Sequence, residues 1–308
     1  MDGFLRYTDT DTDGDARVGW YDGERGTLHP LDGVRTMAEL LRLPLAQART
    51  LAERAARAPG TAAAGTAALP PVDGDTEVWA GGVTYERSRQ ARGEESDNAD
   101  IYDRVYGAER PELFFKAPAW RVVTGGEPVA FRADSPLNVP EPELAVVVNA
   151  HGEVVGYCVC NDMSSRSIEG ENALYLPQAK VYAGSCALSA LVRPAWELPE
   201  VLNGEITMAV VREGAEAFAG RVGLSSMRRD PGVLADHLLR SQPFPDGAVL
   251  ATGTGIVPEM DFTLAAGDRI DIAISGVGTL SNPVVEGAEP LAWLVAARRD
   301  HRARPATD

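Results

Sequence analysis

Glu141-Pro142-Glu143-Leu144-Ala145-Val146-Val147-Val148-Asn149-Ala150-His151-Gly152-Glu153-Val154-Val155-Gly156-Tyr157-Cys158-Val159-Cys160-Asn161-Asp162 reads as two strands joined by a short turn. An apolar run, Leu144 to Val148, and a β-rich run, Val154 to Cys160, flank a turn-like stretch at 150–153. A four-residue loop there predicts that Asn149 pairs with Val154, which sets Glu141 opposite Asp162. Alternate residues of a strand point to the same face, so Glu141 and Glu143 project together and three carboxylates meet at one end of the hairpin. Three anions that close repel unless protonated or paired with a cation. All-oxygen ligation without thiol or imidazole suits a hard cation such as Mg²⁺. Glu141 and Glu143 by themselves fit a solvated strand end better; Asp162 and the residues beyond it tilt the reading toward a metal.

Composition excludes several classes. A chain of 308 residues buries a large core and holds one large domain or two. A formal net charge of −16 argues against nucleic-acid partners and anionic membrane surfaces. No apolar stretch approaches the roughly 18 residues of a membrane helix, and the N-terminus Met1-Asp2-Gly3-Phe4-Leu5-Arg6 lacks the pattern of a secretory signal. The three cysteines, Cys158, Cys160 and Cys186, show no metal-ligand spacing and read as buried free thiols, which suits a reducing cytoplasm.

Residues 4–31 read as short strands separated by Asp/Gly turns, one of which, Asp9 to Asp15, has the start of a calcium loop but not its twelfth-position glutamate. Met37, Leu40, Leu41, Leu45, Ala48 and Leu51 recur at helix spacing and predict a helical region over 34–58. The Ala, Gly, Thr and Pro-rich stretch 55–75 reads as a linker. Beyond Glu77, β-branched runs dominate, with one clear helix from Pro231 to Leu239 capped by Asp230. The fold class expected is α+β, mainly β: a small N-terminal α+β domain with linker, residues 1–72, and a catalytic domain, residues 73–308.

The order Glu141-Pro142-Glu143-Leu144, Asn161-Asp162-Met163-Ser164-Ser165-Arg166, Lys180, Ala251-Thr252-Gly253-Thr254 and Gly276-Val277-Gly278-Thr279-Leu280-Ser281-Asn282-Pro283 resembles the fumarylacetoacetate hydrolase family over roughly residues 76–285. Within it, Arg110-Pro111-Glu112-Leu113-Phe114-Phe115-Lys116 and the run from Glu171 to Gly184 are most similar to the dehydratases acting on 2-keto-3-deoxy-D-arabinonate. The resemblance implies a mixed β-roll with one divalent metal, usually Mg²⁺ with Mn²⁺ or Ca²⁺ as alternatives, held by Glu141, Glu143 and Asp162. It implies a small 2-oxo acid substrate that chelates the metal, and a homo-oligomer, since family members are commonly homodimers. Three carboxylates leave part of a six-coordinate shell open. A 2-oxo acid offers a carboxylate and a ketone oxygen to fill it, and a Lewis acid there stabilises the charge left when a C3 proton departs.

A base is then required. Lys180, an ordinary surface lysine if read alone, takes that role from its place after Leu176-Pro177-Gln178-Ala179 in the family pattern; a nearby cation and partial desolvation would lower its pKa. Glu112, before the apolar Leu113-Phe114-Phe115, reads equally as a general acid with raised pKa or as a strand-start glutamate in water. Arg166 reads best as an ion-pair partner of the acidic cluster. Thr254 offers a hydroxyl to a substrate carboxylate or simply marks a Gly-rich strand end. Arg87 and Arg89 bind substrate or are solvated, with equal weight.

The chain departs from the family's hydrolases at Thr84-Tyr85-Glu86-Arg87-Ser88-Arg89-Gln90-Ala91, where Ser88 and Ala91 stand in place of a water-activating histidine and glutamate. None of the four histidines, His29, His151, His237 and His301, lies nearby in sequence. A second departure, Ser167-Ile168-Glu169 in place of Asp-x-Gln, carries no reading from sequence. The resemblance therefore implies Mg²⁺-dependent dehydration of a 2-keto-3-deoxy sugar acid to 2,5-dioxopentanoate. The alternatives are an acylpyruvate-type hydrolase, an oxaloacetate decarboxylase, and an inactive metal- and ligand-binding relative.

Overall fold

The computed structural model describes residues 1–8, 14–95 and 99–305. The Asp/Gly turns separate strands as expected: β1 (Gly3–Thr8), β2 (Ala16–Asp22) and β3 (Thr27–Pro30) form an antiparallel meander. The acidic positions 9–13 lie outside the described residues. The helical region is two helices, α1 (Met37–Leu41) and α2 (Leu45–Arg57), because Pro44 lacks an N–H and stands at the cap of α2. Thr36 and Glu39 close a reciprocal capping box on α1.

The stretch read as a linker is pinned to the body. Its β4 (Thr61–Ala62) pairs with β3, Leu69 N donates to Arg6 O at 2.8 Å, and Leu69 and Val72 are buried.

Next come β5 (Glu77–Gly82), helices α3 (Glu86–Glu95) and α4 (Ala99–Gly107), and β6 (Glu112–Pro118). Short strands β7 (Val129–Phe131) and β8 (Asn138–Val139) lead into the hairpin β9 (Pro142–Val148) and β10 (Val154–Asp162). After it follow β11 (Ser164–Ser165), α5 (Arg166–Glu171), α6 (Leu176–Lys180), β12 (Cys186–Leu188) and β13 (Leu191–Pro194). The C-terminal part holds β14 (Glu205–Arg212), β15 (Ala215–Gly223), α7 (Pro231–Leu239), β16 (Ala248–Ala251), β17 (Arg269–Ile274), β18 (Gly278–Glu286) and α8 (Trp293–Ala297). Asp230 caps α7 through Gly232 N, with Pro231 in the first turn, as the sequence indicates.

An eleven-stranded sheet runs β4-β3-β2-β1-β13-β10-β9-β16-β5-β6, with β12 also against β10. A five-stranded sheet, β15-β14-β17-β18-β7, is the second layer. β9 is buried on both faces, which is why its sequence is continuously apolar rather than alternating. Ala145 and Val147 join Cys158, Cys160 and Val249 in one core; Leu144 packs in the core that includes the second sheet; Val146 and Val148 pack with Leu234 and Leu238 of α7. Burial of each valine contributes about 1.5–3 kcal/mol over leaving it in water. The three thiols are free and buried, as expected.

The hairpin register follows the prediction where it matters: Cys160 faces Glu143, Asn161 faces Pro142, and Asp162 N donates to Glu141 O at 2.9 Å. At the turn it differs, since Val154 faces Val148 and a bulge between Val154 and Gly156 restores the pairing.

Candidate active site

Glu141, Glu143 and Asp162 stand where the apolar β9–β10 hairpin ends, and each is at most 3 % exposed. One carboxylate oxygen from each lies within 4.8 Å of the others. Glu143 is held by Gly253, whose N–H donates to its Oε2 at 2.6 Å. Gly253 has φ +91°, and a Cβ there would stand 2.0 Å from Thr84 Oγ1, so this anchor requires glycine. Burial, then the neighbouring Asp162 and Glu141 charges, push the Glu143 carboxyl well above the usual carboxylate range. Three buried oxygen donors at this spacing fit a divalent hard cation, whose charge would offset the repulsion among the carboxylates.

Three cations of the chain surround the triad. Lys180, at the end of the short α6, donates to Glu141 Oε2 at 2.8 Å, Asp162 Oδ2 at 3.3 Å and Ser164 Oγ at 2.5 Å. Arg166 Nη2 lies 3.1 Å from Glu141 Oε1, the ion-pair role the sequence suggested. Lys116, to which the sequence reading gave no role, is wholly buried in β6. Its ammonium pairs with Asp162 and donates to Met163 O at 3.0 Å and Lys180 O at 2.6 Å. One lysine thus ties a triad carboxylate to the backbone that carries Lys180. The signal in the sequence was a single charge inside Leu113-Phe114-Phe115-Lys116-Ala117-Pro118, since lysine is almost never fully buried unless paired.

A narrow cavity is lined by Glu141, Asp162 and Lys180 together with Glu112, Thr254, Ser88 and Glu169. Glu112 enters it because Gly82 has no side chain: a Cβ there would stand 2.0 Å from Glu112 Oε2. Val83, in the same wall, holds φ at +53°, a strained left-handed conformation for a β-branched residue. The Ser88 hydroxyl is committed to the main chain, donating to Tyr85 O at 2.8 Å and accepting from Tyr85 N at 3.2 Å. Thr254 Oγ1 likewise donates to Ile256 O and accepts from Ile256 N, both at 3.2 Å, so its hydroxyl caps its own turn. Glu169, buried on α5, completes the wall and was not foreseen there.

Arg87 and Arg89 are not in this wall. Arg87 pairs with Glu259 at 3.0 Å, and Arg89 pairs with Glu86 and Asp103 across α3 and α4. Both guanidinium groups, read from sequence as substrate-binding or solvated, are engaged by these carboxylates.

The chain is similar to proteins already known. The family described as "Fumarylacetoacetate (FAA) hydrolase C-terminal" matches residues 87–285. The "Probable 2-keto-3-deoxyxylonate dehydratase" of Haloferax volcanii is 48% identical over 217 residues, 70% of this chain and 74% of the relative. The "2-dehydro-3-deoxy-D-arabinonate dehydratase" of Saccharolobus solfataricus is 44% identical over 218 residues, 70% of this chain and 73% of the relative. A solved structure, "2-keto-3-deoxy-D-arabinonate dehydratase complexed with magnesium and 2,5-dioxopentanoate", superposes with a TM-score of 0.78 at 34% identity, covering 93% of this chain and 99% of that one. With its acidic triad and its motifs in this order, the chain belongs to the fumarylacetoacetate hydrolase family.

Proposed function

We propose that this protein is a Mg²⁺-dependent hydro-lyase that dehydrates a five-carbon 2-keto-3-deoxy sugar acid to 2,5-dioxopentanoate. The observation that carries the reading is the buried triad, two of whose members, Glu141 and Asp162, line one cavity with Lys180 and Glu112, in a chain whose similar relatives bear dehydratase names. Glu141, Glu143 and Asp162 would hold the ion, which when bound supplies Lewis-acid stabilisation of charge at the substrate's ketone oxygen. Lys180 Nζ accepts the C3 proton, and Glu112 protonates the C4 hydroxyl as it leaves. Lys116 and Arg166 keep the carboxylates in place, and burial of the cluster keeps water from competing. The committed Ser88 hydroxyl and the apolar Ala91 supply no water-activating pair, which disfavours C–C hydrolysis.

The test is a substrate panel with Mg²⁺: 2-keto-3-deoxypentonate, an acylpyruvate and oxaloacetate, with products identified by mass. Dehydration of the keto-deoxy acid is expected. Release of pyruvate from the other two without dehydration overturns the reading, and inactivity on all three marks a binding-only relative. Lys180→Met should also abolish exchange of the C3 proton with deuterated solvent, whereas Glu112→Gln should block dehydration yet keep that exchange. General acids and bases contribute roughly 10²–10⁴-fold each. Exchange lost in the Glu112 variant and kept in the Lys180 variant would reverse the two roles.

A further inference from the structure

Turning a 2-keto-3-deoxypentonate into 2,5-dioxopentanoate takes more proton transfers than loss of water alone. Once the C3 proton and the C4 hydroxyl have gone, a C3=C4 double bond lies conjugated with the C2 ketone, and C5 is still an alcohol. To bring C5 to an aldehyde, a C5 proton must leave. Its electron pair forms C4=C5, the C3=C4 pair moves to C2=C3, and charge collects on O2. A proton returned to C3 restores the ketone and leaves a C4=C5 enol. Protonation of C4 with loss of the O5 proton completes the aldehyde. No outside oxidant is needed, because C5 is oxidised while the C3=C4 bond is reduced in the same molecule.

This sequence calls for proton-handling groups at C3, at O4 and O5, and between C5 and C4. Lys180 is bound to the triad end of the cavity, 2.8 Å from Glu141 and 3.3 Å from Asp162, and serves C3. The hydroxyls of Ser88 and Thr254 are taken up by main-chain groups. Among the described residues of the wall, Glu112 and Glu169 are then the groups beyond the triad able to exchange a proton. Glu169 is 4 % exposed, and the helix that carries it is fixed to the triad by Arg166, whose Nη2 lies 3.1 Å from Glu141 Oε1.

We infer that Glu169 is a third catalytic residue, the base that removes the C5 proton and delivers a proton to C4; the inference rests on the dehydratase reading above. All three groups then end the cycle as they began it. Lys180 returns to C3 the proton it took. Glu112 gives a proton to O4 and recovers one from O5. Glu169 carries one from C5 to C4. A carboxylate shielded from solvent suits this last task, since a proton it accepts stays beside the substrate until C4 is ready for it.

Glu169→Gln keeps the shape and removes the base. In this variant, exchange at C3 and loss of water should persist, while aldehyde formation, followed by hydrazone trapping, falls roughly 10²–10⁴-fold. The conjugated hydroxy-ketone should accumulate, visible by its ultraviolet absorbance. Glu169→Asp keeps a carboxylate if the glutamine variant fails to fold; it should form aldehyde slowly, with a primary isotope effect from C5-dideuterated substrate. Aldehyde made by the glutamine variant at the wild-type rate, loss of C3 exchange in step with aldehyde, or no isotope effect in the aspartate variant overturns the assignment of Glu169 alone. Wild-type enzyme that leaves the keto-deoxy acid intact overturns the functional reading and this inference with it.

Discussion

The acidic cluster at the hairpin end and the Asp268–Arg212 pair both bury carboxylates, and they balance that charge in different ways. Asp268 is 1 % exposed and fully matched: Arg212 donates to it through Nε at 2.7 Å and Nη2 at 2.8 Å, and Ala265 N adds a bond of 2.8 Å. One anion meets one cation in the fork geometry that suits them. At the hairpin end, Glu141 and Asp162 share Lys180, Lys116 and Arg166, both leaning on the same Lys180, while Glu143 accepts from the Gly253 amide. The Asp268–Arg212 pair is matched one to one, whereas the triad brings three carboxylate oxygens within 4.8 Å of one another, a spacing that could hold a metal ion.

The largest effect that would break this contrast is at the triad. Asp162→Ala should abolish Mg²⁺ binding by titration calorimetry and reduce turnover to background, with the far-ultraviolet circular dichroism unchanged. Full activity in EDTA-treated wild-type protein would dissolve the distinction. The Asp268→Ala change should do the reverse: lower unfolding free energy in a urea titration by about 1–3 kcal/mol, and leave kcat of the folded fraction intact. Arg212 is partly exposed, so solvent softens the loss. A fall in kcat without loss of stability would place Asp268 in the catalytic machinery instead.

The smallest effect lies in pH. Glu143 titrates above its unfolded value in the metal-free fold, so the folded state binds the extra proton. That contribution to stability is present in full below the unfolded carboxyl pKa and is lost as pH rises through the folded one. Metal-free protein should therefore lose stability with rising pH, by at most about 1.4 kcal/mol per unit for one proton, while Mg²⁺ affinity rises over the same window. Glu143→Gln should flatten the stability slope; an unchanged slope in urea titrations across pH would assign it elsewhere.

Much of the site was legible because it is local. Glu141, Glu143 and Asp162 are set by one hairpin, and strand alternation with a short turn suffices to bring them together. Even there the bulge after Val154 was hidden, since an extra residue at a turn leaves no mark in an apolar pattern. Lys116 and Glu169 were not legible for a different reason. Lys116 reaches Met163 and Lys180, 47 and 64 positions away, through the packing of β6 against α6. Glu169 enters the wall because Arg166 docks its helix on Glu141, and no periodicity encodes that contact. For the arginines of α3 the pairing with Glu86, Asp103 and Glu259 was equally hidden, since Asp103 and Glu259 come from other parts of the chain. In the N-terminal part, residues 61–62 looked like tether because threonine and alanine pair as a strand only where β3 offers an edge.

The pairing of β1 with β13 carries a consequence for how the chain can be divided. β13 lies between β1 and β10, so the meander β1–β4 is the cover of the catalytic sheet's flank as well as a part of its own. Cutting the chain before Asp73 would bare the main-chain groups of Leu191 and Val192 that pair with β1, leaving an open edge two strands from β9. Such an edge is a template for another strand, and the freed catalytic half would recruit one from its own copies. The N-terminal segment thus completes, away from the acidic triad, the same sheet that carries β9 and β10.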